Sequence, residues 1–423
     1  MRLSDSRGLR IGIVVVAAVV VAEGAVQLLG PGGAQIEPRA VDEGDFFELG
    51  ALERAREYRG GQRLLMIGGL ALQAAALTGL ALGRPRAVRR ALESLGRRPV
   101  AGAFAAGAGL AVVLAVIVLP LDWWAHQRAV DVGLATQSAG AWLLDVGKST
   151  AIAAVFTGLG AAALLALVRR FPRGWWLPGA AVLVAYGAIL SWLAPVVLAP
   201  LFNRFDPLPE GSAARAEVLE LGERGGVDIG EVYRVDASRR STALNAYVGG
   251  LGPTKRVVLY DNLIEQAEPS ELRSVVAHEL AHVANDDIPR GLTFLAIVAP
   301  LGLLGVREIA GALGRRSGAD PASPASLPGY GLAISLLVLV LNVPANQLSR
   351  DVEAAADTYA LELTADPQGL IDLQRRLAER NLSDPDPPRA YTLLFGTHPP
   401  TVERIGAALA YESRNDSTVS PSP

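Results

Sequence analysis

Glu271–Asp287 reads ELRSVVAHELAHVANDD, and this stretch decides how the rest of the chain is understood. Val275, Val276, Leu280 and Val283 recur at helical spacing and charges stand at both ends, which predicts an amphipathic helix outside lipid. Residues four apart lie one turn apart on one helix face, so His278 and His282 are placed to offer imidazole nitrogens to a single ion. Glu279 then projects beside that ion, where a carboxylate takes the proton of an activated water. The chain has no cysteine and four histidines, so a transition metal has to be held by His and carboxylate. The competing explanation is two structural histidines on one helix by chance, a pattern that random placement gives on the order of once in several hundred chains.

On either side of this helix the chain turns apolar. Five stretches before it, near 11–30, 64–83, 101–120, 150–168 and 176–200, and two after it, near 291–306 and 329–347, approach the ~20 residues that cross a bilayer core. A chain of 423 residues with 51% hydrophobic and 19% charged residues falls in the membrane class. The net charge of −3, with no basic face, excludes nucleic acid as an expected partner. The first apolar stretch follows Arg2, Arg7 and Arg10, and at about 20 residues it exceeds the hydrophobic run of a cleaved signal, so it is read as a retained anchor.

The expected fold class is mainly α: a seven-transmembrane-helix bundle carrying a small α+β zinc-metallopeptidase domain. Residues 1–202 form an N-terminal membrane domain of five spans, and 203–290 the first part of the peptidase domain. In that part AARAEVLELGERGG (213–226) predicts a helix, while VYRV (232–235), AYVG (246–249) and RVVLY (256–260) predict a small sheet. A two-span hairpin (291–347) interrupts the domain, 348–412 complete it, and a Ser/Pro-rich tail over 413–423 is expected to be disordered. The two halves of the peptidase domain must therefore meet at the membrane surface.

A catalytic zinc takes three protein ligands and keeps a position for water. Glu353 in SRDVEAAADTYAL (349–361) is the best candidate for the third ligand, and Asp357, four residues on, sits on the same face to accept the second N–H of a ligating imidazole. The alternative is a pair of solvated acids on an Ala-rich helix. His398 in THPPTVERI (397–405) is read as a donor to the oxyanion of the tetrahedral intermediate, against the alternative of a surface histidine before a Pro-Pro turn. His126, beside Trp123 and Trp124, is read as an interface residue and not a ligand.

In this order the pieces resemble the integral-membrane CAAX prenyl protease 1 family and its bacterial HtpX-like relatives. The resemblance rests on PLFNRFDPLPEG (200–211), NAYVGG (245–250) followed by KRVVLYDNLI (255–264), HELAH, SRDVEAAAD and THPPTVERI, and it covers most of the chain. It implies that Glu353 is the third zinc ligand with Asp357 as its partner, that Asn245 and Arg404 bind substrate, and that His398 lines the active site. It also implies that the helices surround an intramembrane chamber with the metal at one end. The run VANDD after HELAH departs from the family's usual continuation, which bears on the rim of the cleft.

The expected function is therefore that of a membrane-embedded zinc metalloendopeptidase, with one Zn(2+) per chain and peptides or membrane proteins as substrates. Two rival readings are a non-catalytic membrane scaffold and an intramembrane zinc protease. The second is opposed by Glu271, Arg273, Asp286 and Asp287, which bracket HELAH with charge. Nothing in the sequence specifies an oligomer, and a monomer is the simplest expectation. The basic loops 84–100, 169–174 and 307–328, which carry Arg84, Arg86, Arg89, Arg90, Arg97, Arg98, Arg169, Arg170, Arg173, Arg307, Arg315 and Arg316, share one side with the N-terminus. The positive-inside rule makes that side cytoplasmic and the peptidase domain extracytoplasmic.

Overall fold

The computed structural model describes residues 2–33, 35–83, 86–250 and 255–419. The membrane part begins with α1 (Arg2–Leu29), α2 (Leu49–Thr78), α3 (Arg86–Leu95), α4 (Pro99–Asp131), α5 (Ala139–Arg170) and α6 (Trp176–Leu193). The peptidase part follows with β1 (Phe205–Pro207), α7 (Ala213–Arg224), β2 (Glu231–Val235), β3 (Ala246–Gly249), β4 (Arg256–Tyr260), α8 (Asp261–Gln266) and α9 (Pro269–Ala284). Two long helices, α10 (Asp287–Ser317) and α11 (Leu327–Thr364), make the hairpin, and α12 (Pro367–Arg380), α13 (Arg389–Phe395) and α14 (Thr401–Val419) close the chain.

Among the described residues seven helices are long and apolar enough to cross a membrane, and they coincide with the seven apolar stretches. Most run well past those stretches. The 33 residues of α4 span roughly 50 Å at 1.5 Å per residue, against a hydrocarbon core of about 30 Å. The excess of α2, α4, α5 and α11 emerges on the side of the peptidase domain and meets it there. The loop between α4 and α5 pairs with the peptidase domain through Thr136 N to Arg240 O (3.1 Å) and Thr242 N to Leu134 O (3.0 Å). Asp145 of α5 accepts from Arg240 Nε at 3.0 Å. In the bundle α2 packs on α4, α4 on α5, α5 on α6, α6 on α10, α10 on α11 and α11 back on α2, so the order of packing closes a ring.

Two expectations change. The last helix runs on to Val419, so residues 413–419 are helical where a disordered tail was expected, and 420–423 lie outside the described residues. A run such as ALAYES continues the amphipathic pattern of the helix before it, which carries the backbone hydrogen bonds past the polar residues. Arg307, Arg315 and Arg316 are not in a loop: all three sit within α10, Arg307 beside Glu308, which also pairs with Arg10 of α1 at 3.1 Å. Arg169 and Arg170 end α5, and Arg86, Arg89 and Arg90 lie on α3. Arg84 lies outside the described residues.

The sheet has the order β1-β2-β4-β3, with β2 and β4 parallel and β3 antiparallel to β4 in the register Tyr247 to Val258. One face packs Val232, Val257 and Leu259 against Val276 and Leu280 of α9, a core continuous with Leu361, Leu370 and Leu373. Burying the apolar stripe of α9 in this way fixes which side turns toward α11, and that side carries His278 and His282. The start of α9 is pinned by a capping box between Glu268 and Glu271, with Pro269 at its first position. Glu271, 2% exposed, also accepts from Arg376 of α12 at 2.8 Å, tying the two helices together.

A turn of Asn285 and Asp286 separates α9 from α10, and Asp286 takes φ 52 to make it. Asp is one of the residues that tolerate this left-handed region. The HELAH helix therefore runs almost directly into a membrane span, and α11 is a single helix that begins as a span and ends beside α9. Close contact between these two spans rests on Gly302 and Gly305, where an added methyl would lie 3.4 Å from Leu341 Cδ1 and 3.2 Å from Leu337 Cδ1.

Candidate metal centre and active site

Helical spacing brings His278 and His282 onto one face of α9, and α11 brings Glu353 to meet them. His278 Nε2 lies 3.1 Å from Glu353 Oε2, and His282 Nε2 lies 3.8 Å from Glu353 Oε1. Ligands about 2.0–2.2 Å from a tetrahedral ion stand roughly 3.4 Å apart, so these separations suit one ion. Among the described residues the group that offers ligand atoms within 4.8 Å of one another is His278, His282 and Glu353.

The other ring nitrogens are already engaged. His278 Nδ1 lies 2.9 Å from Asp357 Oδ1, and His282 Nδ1 lies 2.8 Å from Asp287 Oδ2. A carboxylate only accepts, so both Nδ1 atoms carry the proton and both Nε2 lone pairs are left for a metal. Arg404 Nη2 also approaches His278 Nδ1, at 3.3 Å, but a guanidinium has no lone pair to receive that proton, which goes to Asp357. Burial opposes a charge on His278, yet its contacts with Asp357 and Glu353 prevail and push its pKa up to about 10. The surrounding carboxylates favour positive charge here, and a metal ion held at Nε2 would supply it in place of that proton.

Glu279 accepts from the backbone N–H of Val248, in the edge strand β3, at 3.1 Å. Burial raises its pKa above the usual carboxylate range, although the neighbouring histidines and the Val248 amide pull the other way. A raised pKa makes it a stronger base. His398 reaches the cluster from the segment before α14: its Nδ1 lies 2.8 Å from Glu353 Oε2 while its side chain stays 59% exposed. His126 takes no part; it is buried between α4 and α5, its ring stacked 4.8 Å from that of Trp142.

Arg404, for which the resemblance implied a substrate contact, is turned toward Asp357. Its Nε donates to Asp357 Oδ2 at 2.7 Å and its Nη2 to Asp357 Oδ1 at 2.6 Å. The Gln374 amide oxygen, turned toward it, accepts from Nη1 at 3.2 Å. The guanidinium is thereby occupied in holding Asp357, which holds His278. Asn245 stands exposed just before β3, with its Oδ1 accepting from Ala246 N at 3.0 Å and its own carbonyl accepting from Tyr260 N at 3.1 Å. Asp287 escaped the sequence reading. It lies five positions after His282, off the helical face, and only the turn at Asp286 swings it back onto the imidazole. The one available signal was the unusual VANDD run itself.

Comparison with known proteins agrees with this geometry. Residues 213–412 match peptidase family M48, and residues 44–204 match the CAAX prenyl protease N-terminal region described as five membrane helices. An uncharacterized metalloprotease of Bacillus subtilis, YhfN, is 30% identical over 301 residues, which is 70% of each chain. CAAX prenyl protease 1 of Saccharomyces cerevisiae is 28% identical over 329 residues, covering 72% of this chain and 71% of its own. The crystal structure of S. mikatae Ste24p superposes with a TM-score of 0.73 over 95% of this chain and 99% of the other, at 22% identity, and so shares the fold. A non-catalytic scaffold is not favoured by relatives that are named as proteases. Matched along both its membrane and peptidase parts, the chain belongs to peptidase family M48 and is a multi-pass membrane metalloprotease.

Proposed function

We propose that the metal is zinc, one per chain, held by His278, His282 and Glu353, and that the protein is an endopeptidase cutting extended segments of membrane proteins or peptides. The observation that carries this reading is the convergence of two imidazole Nε2 atoms and one carboxylate, each imidazole fixed by a carboxylate at Nδ1. When bound, zinc polarises a scissile carbonyl and makes water a stronger acid.

The chain's own residues supply the rest. β3 is the outer strand of the sheet; its outward N–H groups at Ala246 and Val248 are held by Asn245 Oδ1 and Glu279, which leaves their carbonyls for a substrate strand to align with. Val248 points its N–H at Glu279, which sets the base beside that edge. Glu279 takes the proton of the attacking water and hands it to the leaving amine. Nδ1 of His398 faces Glu353, which leaves Nε2 as its donor for the charge that develops on the carbonyl oxygen. Asn245, at the mouth of β3, is placed to meet substrate backbone. The ring of helices supports a chamber that leads segments of membrane proteins to this site. A basic membrane side bearing Arg97, Arg98, Arg169, Arg170, Arg315 and Arg316 supports a cytoplasmic N-terminus and an extracytoplasmic peptidase domain.

Glu279→Gln tests the reading. The purified variant is expected to keep its zinc, measured by elemental analysis, and to lose cleavage of β-casein by at least about 10²-fold. In cells it should retain substrates that can be identified by co-purification. Normal cleavage by this variant would overturn the assignment of the base, and a metal other than zinc in the active native protein would overturn the cofactor.

A further inference from the structure

One side chain holds both backbone polar groups of Leu244, the residue two positions before β3. Asn381 Oδ1 accepts from Leu244 N at 2.9 Å, and Asn381 Nδ2 donates to Leu244 O at 3.1 Å, across 137 positions of sequence. A carboxamide here makes the pair of bonds that a neighbouring strand would otherwise make. Leu244 is itself 1% exposed, so neither group has water as a substitute.

The segment leading to β3 is held almost residue by residue. Asn262 Nδ2 donates to Ser241 O at 2.7 Å, and Thr242 N donates to Leu134 O at 3.0 Å in the α4–α5 loop. Asn381 is the last hold from outside the sheet before the Asn245 carbonyl joins β4 through Tyr260 N at 3.1 Å. Beyond it, β3 has β4 on one side only, and an edge strand with a single ladder opens more readily than a central one.

Asn381 is in turn fixed from the membrane domain. It follows α12, and the next residue, Leu382, takes φ 46. That left-handed conformation is costly for leucine and persists only where neighbours impose it. The end of α12 imposes it through Ser383 N to Ala378 O at 2.8 Å and Leu382 N to Glu379 O at 3.3 Å, and Arg59 of α2 braces the same turn, donating from Nε to Leu382 O at 2.8 Å and from Nη2 to Asn381 O at 2.5 Å. Arg63, one turn along α2, pairs with Asp384 at 2.6 Å, and Asp384 is 4% exposed. A continuous set of contacts thus runs from a membrane helix through Arg59, Asn381 and Leu244 to β3, whose Val248 touches Glu279.

We propose that Asn381 is a positioning residue for peptide hydrolysis, fixing the approach and register of the free edge of β3, and that α2 holds Asn381 in place through Arg59. The proposal rests on the reading of β3 as the edge along which substrate aligns. It makes α2 a participant in substrate alignment although α2 need not touch the substrate.

The test uses the full-length zinc-loaded protein in nanodiscs, with Asn381→Ala, Asn381→Asp and Arg59→Leu, and two readouts. Hydrogen exchange of the 244–249 amides should accelerate about tenfold or more in Asn381→Ala, as expected when two partly buried hydrogen bonds are lost, while α9 amides and zinc content stay unchanged. With β-casein, KM should rise about tenfold and kcat should change less than threefold. Asn381→Asp keeps the acceptor for Leu244 N and loses the donor, so it should fall between the native protein and the alanine variant. Arg59→Leu leaves Asn381 intact and should reproduce the same split more weakly, which keeps the proposal testable if Asn381→Ala does not fold. Unchanged exchange in 244–249 would overturn the tether itself. Faster exchange with an unchanged KM would leave the tether standing and remove β3 as the docking edge. Loss of zinc and kcat together, with KM unchanged, would show a merely structural role.

Discussion

Replacing Arg404 by leucine separates two accounts of this residue, as a support beneath the metal or as a contact for substrate. Asp357 is 2% exposed and receives two bonds from Arg404, at 2.7 and 2.6 Å, while its Oδ1 also faces His278 Nδ1 at 2.9 Å. Leucine fills much of the space and offers no donor, so the carboxylate keeps His278 alone as its charged partner. Removing one member of a buried, hydrogen-bonded ion pair costs about 3–5 kcal/mol, because the other charge is left without compensation. Asp357 then either takes up a proton or shifts, and both outcomes loosen its hold on the imidazole. Losing such outer support weakens metal sites by about 10–100-fold. Competition with a chelating dye on the detergent-solubilised full chain should therefore show zinc affinity falling by that factor, with a lower unfolding midpoint, and KM for β-casein at saturating zinc little changed. Arg404→Lys keeps the charge and loses the two-pronged geometry, so it should lie between the two. An Arg404→Leu protein with native zinc affinity and a raised KM would refute the reasoning and return Arg404 to the substrate.

Further outcomes follow from the same geometry. Asp287→Ala frees His282 Nδ1 and should lower zinc affinity by about 10–100-fold, read by the same competition assay; an unchanged affinity would show that the contact does not orient the ligand. His398→Ala should retain zinc and lose about 10²–10³-fold in kcat, the usual loss on removing one oxyanion donor; a loss of zinc instead would make His398 a metal-site support. Because the chain has no cysteine, single-cysteine variants report one position each. A membrane-impermeant maleimide added to intact cells should label a cysteine at Glu210 and spare one at Arg97, and the opposite pattern would invert the orientation.

Much of this molecule is legible in its sequence wherever a local period carries the information. HELAH announces two candidate ligands and a candidate base because the i, i+4 spacing is a property of one helix. Glu353 and Asp357 repeat the same spacing, and each apolar stretch has to be a helix because lipid offers backbone groups no other partner. The ends of the spans are less legible, since a helix does not stop where the bilayer does: polar residues such as Arg56, Arg59 and Arg63 continue α2 outside the lipid and grip the turn at 381–384. Long-range pairings leave no period at all. Asp287 becomes a partner of His282 only through the backbone turn at Asp286. Arg404 looks from the sequence like one more cation near the site, and its burial against Asp357 is decided by where α11 and α14 cross. Asn381 reads as an ordinary helix-ending residue, and nothing around it mentions Leu244.

The two helices that enter the membrane from the candidate site, α10 and α11, form a mechanical unit. His278 and His282 ride on a segment joined to α10 by a two-residue turn, and Glu353 rides on α11 itself, so the gap between ligands is the upper opening of a pair of tongs whose arms lie in lipid. The arms touch at Gly302 and Gly305, some twenty or more residues from His282 and roughly 30 Å away along the helix. Prying them apart by one methyl group at that depth would load the packing of α9 on α11, the contact that seats Glu353 opposite the histidines. Lipid packed around α10 and α11 thereby bears on the spacing of His278, His282 and Glu353.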